Sequence, residues 1–247
     1  MGANMAPTYT ITMIRLINLT KKYGDKLIIN KVNIFIADAS FAILWGKSGS
    51  GKTTVLNLIG GLEKPTEGEI VVNGKNIDKL SEKELVQYRR ESVGIIFQDA
   101  YLQPQLSISD NIMLPGIFSG LPREKRIKRM SILAEKFGIT SELNSLPKEV
   151  SGGQAERACI IRAIFLGPNI ILADEPTNNL DDSNSKIVLD TLDNLRKQMG
   201  ITIVMSTHDK NAIRYATQIF DISEGVINEI PNEKIATFRN SGENNGS

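Results

Sequence analysis

Residues 41–60, FAILWGKSGSGKTTVLNLIG, decide the fold. Phe41 to Trp45 form a short uncharged apolar run stopped by Gly46, the pattern of a central strand buried on both faces. From Thr53 the spacing becomes helical, so the stretch predicts strand, glycine-rich loop, helix. The loop itself, GKSGSGKT from Gly46 to Thr53, fits G-x-x-x-x-G-K-[ST] in the context that pattern requires. Its glycines, Gly46, Gly49 and Gly51, let backbone N–H groups curl around phosphate oxygens, with Lys47, Ser48 and Ser50 between them. The helix N-terminus adds partial positive charge, Lys52 reaches the β- and γ-phosphates, and Thr53 can ligate Mg²⁺. The flanking strand and helix argue against a plain Gly-Ser surface loop.

Working outward, residues 12–39 alternate in short runs, as in KVNIFIADA, where Val32, Ile34 and Ile36 share one face and predict strands. Beyond the loop, strands are predicted at NIILADE, TIVMSTH, QIFDIS and VINEI, the last two flanking Glu224 and Gly225. A helix is predicted over 182–199, with Val188, Leu192, Leu195 and Met199 on one stripe. Such alternation implies an α/β protein with a mostly parallel sheet covered on both sides. Between Gln103 and Pro147 strand signal is weak, and Pro104, Pro115 and Pro122 punctuate helical segments. This predicts a helical subdomain at 103–154, inserted in a core formed by 12–102 and 155–230. Residues 231–247 read as a C-terminal tail, whose polar end NSGENNGS is expected to be disordered.

Composition narrows the function. The 247 residues carry 29 Lys plus Arg against 28 Asp plus Glu, so no global field favours nucleic acid or acidic lipid. Cys159, the only cysteine, cannot make an internal disulfide and reads as core packing. The N-terminus lacks a basic region followed by an apolar one, Ala6 disfavours myristoylation of Gly2, and no apolar run approaches the roughly 20 residues of a membrane span. A cytoplasmic chain is expected, held at any membrane by another protein. REKRIKR, 123–129, reads as a solvated helix face, with Ile127, Met130, Ala134 and Phe137 on the opposite stripe.

Two adjacent carboxylates, Asp174 and Glu175, end the apolar strand IILAD. With a phosphate loop in the same sheet, Asp174 suits the Mg²⁺ shell, and Glu175 is a candidate base for an attacking water. A bound Mg²⁺ would also relieve their mutual repulsion. His208 follows TIVMST and Gln98 ends VGIIFQ, so both are predicted at the same sheet edge, where open α/β sheets bind ligands. His208 could hydrogen-bond a γ-phosphate, and the Gln98 amide could touch both metal and water.

One stretch remains: VSGGQAER, 150–157, a second glycine pair at a predicted helix start. GKSGSGKT, FQ (97–98), SGGQ (151–154), LADEPTNNLD (172–181) and STH (206–208) occur in the order found in ABC-type ATPases, and the chain resembles the nucleotide-binding subunit of an ABC transporter over roughly 14–230. LNLIGGLEKPTEGEI and RRESVGIIFQDAYLQPQLSISDNI are similar to the branch of lipoprotein-releasing, macrolide-exporting, antimicrobial-peptide-resistance and cell-division ATPases. The resemblance implies the ABC ATPase fold, with an N-terminal antiparallel β subdomain. It implies ATP and Mg²⁺ as ligands, contacted by Gly49, Ser50, Gly51, Lys52, Thr53 and Thr54, with Tyr23 stacking on adenine. Gln98 becomes the residue sensing metal and membrane partner, Asp174 the metal support, Glu175 the general base and His208 the switch histidine. Ser151, Gly152, Gly153 and Gln154 would face the nucleotide of a second subunit, and Asp181 would lie in the dimer-bridging loop.

The implied partners are a second ATPase subunit, expected to be identical, and an integral-membrane permease on a separate chain, with no nucleic acid. The expected place is the inner face of the cell membrane. The motor residues are shared by exporters and by mechanotransmission ATPases that relay the cycle to extracytoplasmic proteins without transport. A soluble ATPase of translation or DNA repair is disfavoured by a single phosphate loop and no sustained heptads. Three positions depart from the family pattern: Lys47 where proline or a small residue is common, Glu156, expected to put an acid near the dimer face, and the pair Asn178–Asn179. None removes a catalytic group.

Overall fold

The computed structural model describes residues 13–98, 101–178, 180–231 and 233–235; NSGENNGS and Asn179 lie outside them. The chain opens with β1 (Ile14–Tyr23), β2 (Lys26–Ile36) and β3 (Phe41–Trp45), then α1 (Lys52–Ile59), β4 (Glu67–Val72) and β5 (Lys75–Asn76). α2 (Glu82–Ser92) and β6 (Val93–Ile96) lead into α3 (Ile108–Phe118), α4 (Arg123–Lys136) and α5 (Gly152–Ile164). β7 (Ile170–Asp174), α6 (Asp182–Met199), β8 (Thr202–Thr207), β9 (Gln218–Ser223) and β10 (Val226–Glu229) complete it.

Two sheets result. One is antiparallel, in the order β2-β1-β4-β5; the other runs β10-β9-β3-β8-β7-β6 and is parallel except between β9 and β10. Strand residues of the second sheet alternate between two cores. Phe41, Ile43, Ile171, Ala173, Ile203 and Met205 face a core completed by α3, α5 and α6, while Ala42, Leu44, Ile170, Leu172 and Val204 face α1 and the antiparallel sheet. Burial on both faces is why these strands read as continuous apolar runs. The topology makes this an α/β P-loop fold with an antiparallel β layer and a helical insertion.

Three boundaries differ from the sequence reading. The split at 154/155 falls inside α5, whose start carries the signature glycines while Ala158, Ile160, Ile161 and Ile164 are buried in the core. Ile235, assigned to the tail, is 4% exposed and packs into the same core. Pro115 lies within α3 instead of ending it, and removes the N–H that the Asn111 carbonyl would otherwise receive. Side chains off the predicted stripes are Met199, exposed in the last turn of α6, and Ile127, exposed on α4.

The segment leading from Gln98 into the helices is tied to α3 by one buried side chain. Asn111 accepts from the Gln103 backbone N–H at 2.7 Å and donates to the carbonyls of Gln103, Leu106 and Ser107 at 3.0–3.1 Å. An amide so paired is satisfied on both its oxygen and its nitrogen by backbone groups of the preceding segment.

Candidate active site

The parallel order β3-β8-β7-β6 brings the carboxyl ends of four strands side by side, with Trp45 opposite Thr207 and Asp174 opposite Ser206. The loop of 46–51 turns into α1 there. Gly51 sits at φ +105°, and a Cβ on it would lie 3.0–3.1 Å from the side chains of Ile28 and Ile29. Among the described residues no side chain caps the helix, and its first turn contains no acid, so its first N–H groups have no side-chain acceptor. Ser50 Oγ is buried without a hydrogen-bond partner among the described residues. Such a cradle, with an orphan hydroxyl and room only for glycine, fits a phosphate group.

Lys52 is 5% exposed and donates to the carbonyls of Gly46 (2.9 Å) and Lys47 (3.1 Å), with Glu175 Oε1 at 3.3 Å. Thr53 Oγ1 donates to Asp174 Oδ2 at 2.8 Å, while the Ser206 hydroxyl donates to Asp174 Oδ1. Glu175 stands at φ +44°, a left-handed backbone that costs a non-glycine residue about 1–3 kcal/mol. Its N–H is held by the Ser206 carbonyl (3.1 Å) and hydroxyl (3.0 Å), which turns the carboxylate between Lys52 and His208 Nδ1, 3.2 Å from Oε2. The two adjacent acids are thus separated by the turn: Asp174 is held by the Thr53 and Ser206 hydroxyls, Glu175 by Lys52 and His208. Exposed Gln98 shares with Asp174 a cleft of about 300 Å³, lined also by Thr53 and Asn57. The described residues contain no group of three His, Cys, Asp or Glu side chains able to hold a metal alone. Thr53 and Asp174 instead form the sparse oxygen set typical of Mg²⁺ bound through phosphates and water.

Tyr23, at the end of β1, is half exposed, and its hydroxyl meets Glu63 and Thr54. Lys47 and Ser48 are exposed at the loop tip.

The remaining predicted residues gather elsewhere. Ser151 N-caps α5 in a reciprocal pair: Gln154 N–H donates to Ser151 Oγ, and Ser151 N–H donates to Gln154 Oε1. Gln154 also donates to Glu142 at 2.7 Å. Gly152 is exposed, but Gly153 is buried, and a Cβ there would approach Asn184 Oδ1 to 2.3 Å. Asp181 N-caps α6; the Asn184 backbone N–H and the Ser183 hydroxyl hold its carboxyl below the usual range. Gly153 and Asp181 therefore have structural duties within the chain that their sequence patterns did not reveal. Ser206 was missed as a site residue, although a serine fully buried in an apolar strand is the signal that could have found it.

Glu156 corrects an expectation. It is 6% exposed and packed in the interior, with Oε1 unpartnered among the described residues. Burial pushes its carboxyl up to about 7 against the pull of Arg162, and burial pushes the Cys159 thiol up to about 12. Folded Glu156 keeps its proton to about pH 7, whereas the unfolded residue loses it near 4.5. The folded state binds more protons in that window, so stability falls as pH rises from about 4.5 to about 7, and the full cost persists above. Glu156→Gln is expected to stabilise the chain by on the order of 2 kcal/mol at pH 8 and by almost nothing at pH 4. Urea melts at both pH values check this; an equal gain at each would refute it.

Comparison with known proteins places these features in a family. Residues 29–178 match the model of the ABC transporter family. The macrolide export ATP-binding/permease protein MacB of Sodalis glossinidius is 37% identical over 222 residues, covering 88% of this chain and 34% of that protein. The chain thus spans about a third of the length of such relatives. The lipoprotein-releasing system ATP-binding protein LolD 1 of Rhodopirellula baltica is 34% identical over 219 residues, covering 87% of this chain and 96% of that one. Among solved structures, the dimeric post-hydrolysis state of the ATP-binding cassette MJ0796 bound to ADP and phosphate superposes with TM-score 0.80 at 36% identity, covering 88% of this chain and 97% of that one.

Proposed function

The chain belongs to the ABC transporter ATP-binding family, and from that premise we propose that it is a Mg²⁺-dependent ATPase subunit, dimerising on ATP to drive a separate membrane permease in export or extraction of a lipophilic or peptide substrate. The observation that carries this reading is the convergence of Lys52, Thr53, Asp174, Glu175 and His208 at one sheet edge, beside the N-terminus of α1.

Each residue then has a task. The loop N–H groups and Lys52 hold the β- and γ-phosphates, with Lys52 exchanging the carbonyls of Gly46 and Lys47 for phosphate oxygens. Thr53 and Asp174 would hold Mg²⁺, which when bound neutralises charge on those oxygens. Glu175 takes the proton of the attacking water, and His208 and Gln98 orient the γ-phosphate and that water. Ser151, Gly152 and Gln154 stand at the exposed start of α5, available to a second chain's nucleotide, while Gly153 and Asp181 hold that edge in shape. The full dimer would thus contain two composite sites.

Among the described residues no helix is long and apolar enough to cross a membrane, so coupling needs a docking surface. A groove of about 550 Å³ between α2, β6 and α3 offers one, with Phe118 82% exposed at its edge and Arg89, Arg90 and Arg162 in its lining. It suits an amphipathic permease segment carrying apolar anchors and acidic residues. Arg162 also donates to the Tyr101 carbonyl at 2.9 Å, linking the groove to the segment that follows Gln98.

Capture of the tagged chain from detergent-solubilised host membranes, with ATP present, tests the assignment. A membrane protein is expected to co-purify with the parental chain and to be lost with Phe118→Asp; recovery of ribosomes or repair proteins instead would overturn it.

A further inference from the structure

A tyrosine that stacks on a base needs a fixed ring with one free face, and the surroundings of Tyr23 supply both. Tyr23 ends β1 beside the antiparallel edge, and nothing in the strand itself would restrain its half-exposed ring. Glu63, in the turn after α1, receives the Tyr23 hydroxyl on Oε2. The same carboxylate accepts from Asn57 Nδ2 on Oε1 at 3.0 Å and pairs with Lys21 Nζ at 3.1 Å. Lys21 is itself fixed by the Lys64 carbonyl at 2.8 Å, and its ammonium lies 4.9 Å from the centroid of the Tyr23 ring. Two elements therefore meet on one carboxylate, α1 through Asn57 and β1 through Tyr23 and Lys21, and the Lys21 ammonium lies against one side of the ring.

We propose that Glu63 and Lys21 are positioning residues for a purine base: Glu63 pins the Tyr23 hydroxyl, Lys21 seals one face of the ring, and the opposite face is left to stack on the base of the nucleotide. This rests on Tyr23 being the base-stacking residue. The clamp acts in two ways. It removes ring freedom before binding, so the entropy of ordering an exposed aromatic side chain is not charged against affinity. The ammonium is drawn to the electron-rich face of the ring, which leaves base stacking to the other face alone. Because Asn57 lies on the helix that opens with Lys52, the clamp also fixes the distance between base and phosphates. Neither Glu63 nor Lys21 touches reacting atoms, so the effect falls on nucleotide affinity and not on the chemical step.

The test is steady-state MgATP hydrolysis by the full chain carrying Glu63→Ala, Tyr23→Phe, Tyr23→Ala or Glu63→Ala with Tyr23→Ala. Glu63→Ala and Tyr23→Phe are expected to raise KM for ATP about three- to tenfold with kcat within twofold. Tyr23→Ala raises KM further, and adding Glu63→Ala to it changes nothing more, because the carboxylate then has no ring to hold. If Glu63→Ala raises KM equally in the presence and absence of the tyrosine, Glu63 acts by holding the α1 turn and the inference fails. If Tyr23→Ala raises KM while Glu63→Ala leaves it unchanged, the clamp is refuted and stacking stands. If Tyr23→Ala leaves KM unchanged, the stacking role itself is refuted, and the clamp with it.

Discussion

Glu175→Gln is expected to lower ATP turnover by at least about 10²-fold while leaving ATP bound, the loss that follows when a general base can no longer take a proton. The geometry makes the substitution specific. Glu175 is turned into place by its left-handed backbone and by Ser206, neither of which depends on the charge of its side chain. The amide keeps the shape of the carboxylate but has no proton affinity at neutral pH. It also removes a negative charge 3.3 Å from Lys52, so the lysine is freer to engage phosphate and the ATP complex is retained. Phosphate release and equilibrium ATP binding, measured on the same preparation, check the two halves. Turnover within twofold of the parent would show that another group is the base.

Lys52→Ala acts at the opposite step. The buried ammonium joins two loop carbonyls and Glu175 in the free chain, at the turn from the loop into α1. Charge-assisted hydrogen bonds of this kind contribute about 1.5–3 kcal/mol each, so ATP affinity is expected to fall by about 10²-fold or more. Lys52→Arg should not rescue it, because a planar fork cannot occupy a pocket shaped for a single ammonium between Gly46 and Lys47. Calorimetric titration with ATP separates the outcomes: an unchanged Kd for Lys52→Ala would refute the phosphate-loop role. Together the pair distinguishes binding from chemistry, with one variant that holds ATP without cutting it and one that fails to hold it.

Much of this was legible in the sequence because it depends on short-range pattern. Phe41–Trp45, Ile170–Asp174 and Thr202–Thr207 are apolar runs flanked by turn residues, and each is a strand of the parallel sheet. Once they are parallel neighbours, the loop of Lys52, the acids of β7 and the residue after β8 must meet at one edge. What was illegible depends on contacts between distant segments. Gly153 reads as a signature glycine, yet a side chain there would also have to displace Asn184 on another helix. Glu156 lies at a helical position with no charge partner in local sequence, and only packing of α5 against the core shows it buried. The bond from Tyr23 to Glu63 spans 40 residues, and no periodicity encodes it. Pro115 reads as punctuation between helical segments, whereas α3 continues through it at the cost of one helical hydrogen bond.

The central claim is that ATP joins two copies of this chain through the start of α5 and the phosphate loop. The most direct measurement is the solution mass of the Glu175→Gln chain by light scattering with Mg²⁺ and either ATP or ADP, repeated with Ser151→Arg added. The account predicts twice the chain mass with ATP, the single-chain mass with ADP, and the single-chain mass with ATP once Ser151→Arg blocks the opposing face. A single-chain mass at saturating ATP, or a dimer indifferent to the nucleotide and to Ser151, would contradict it.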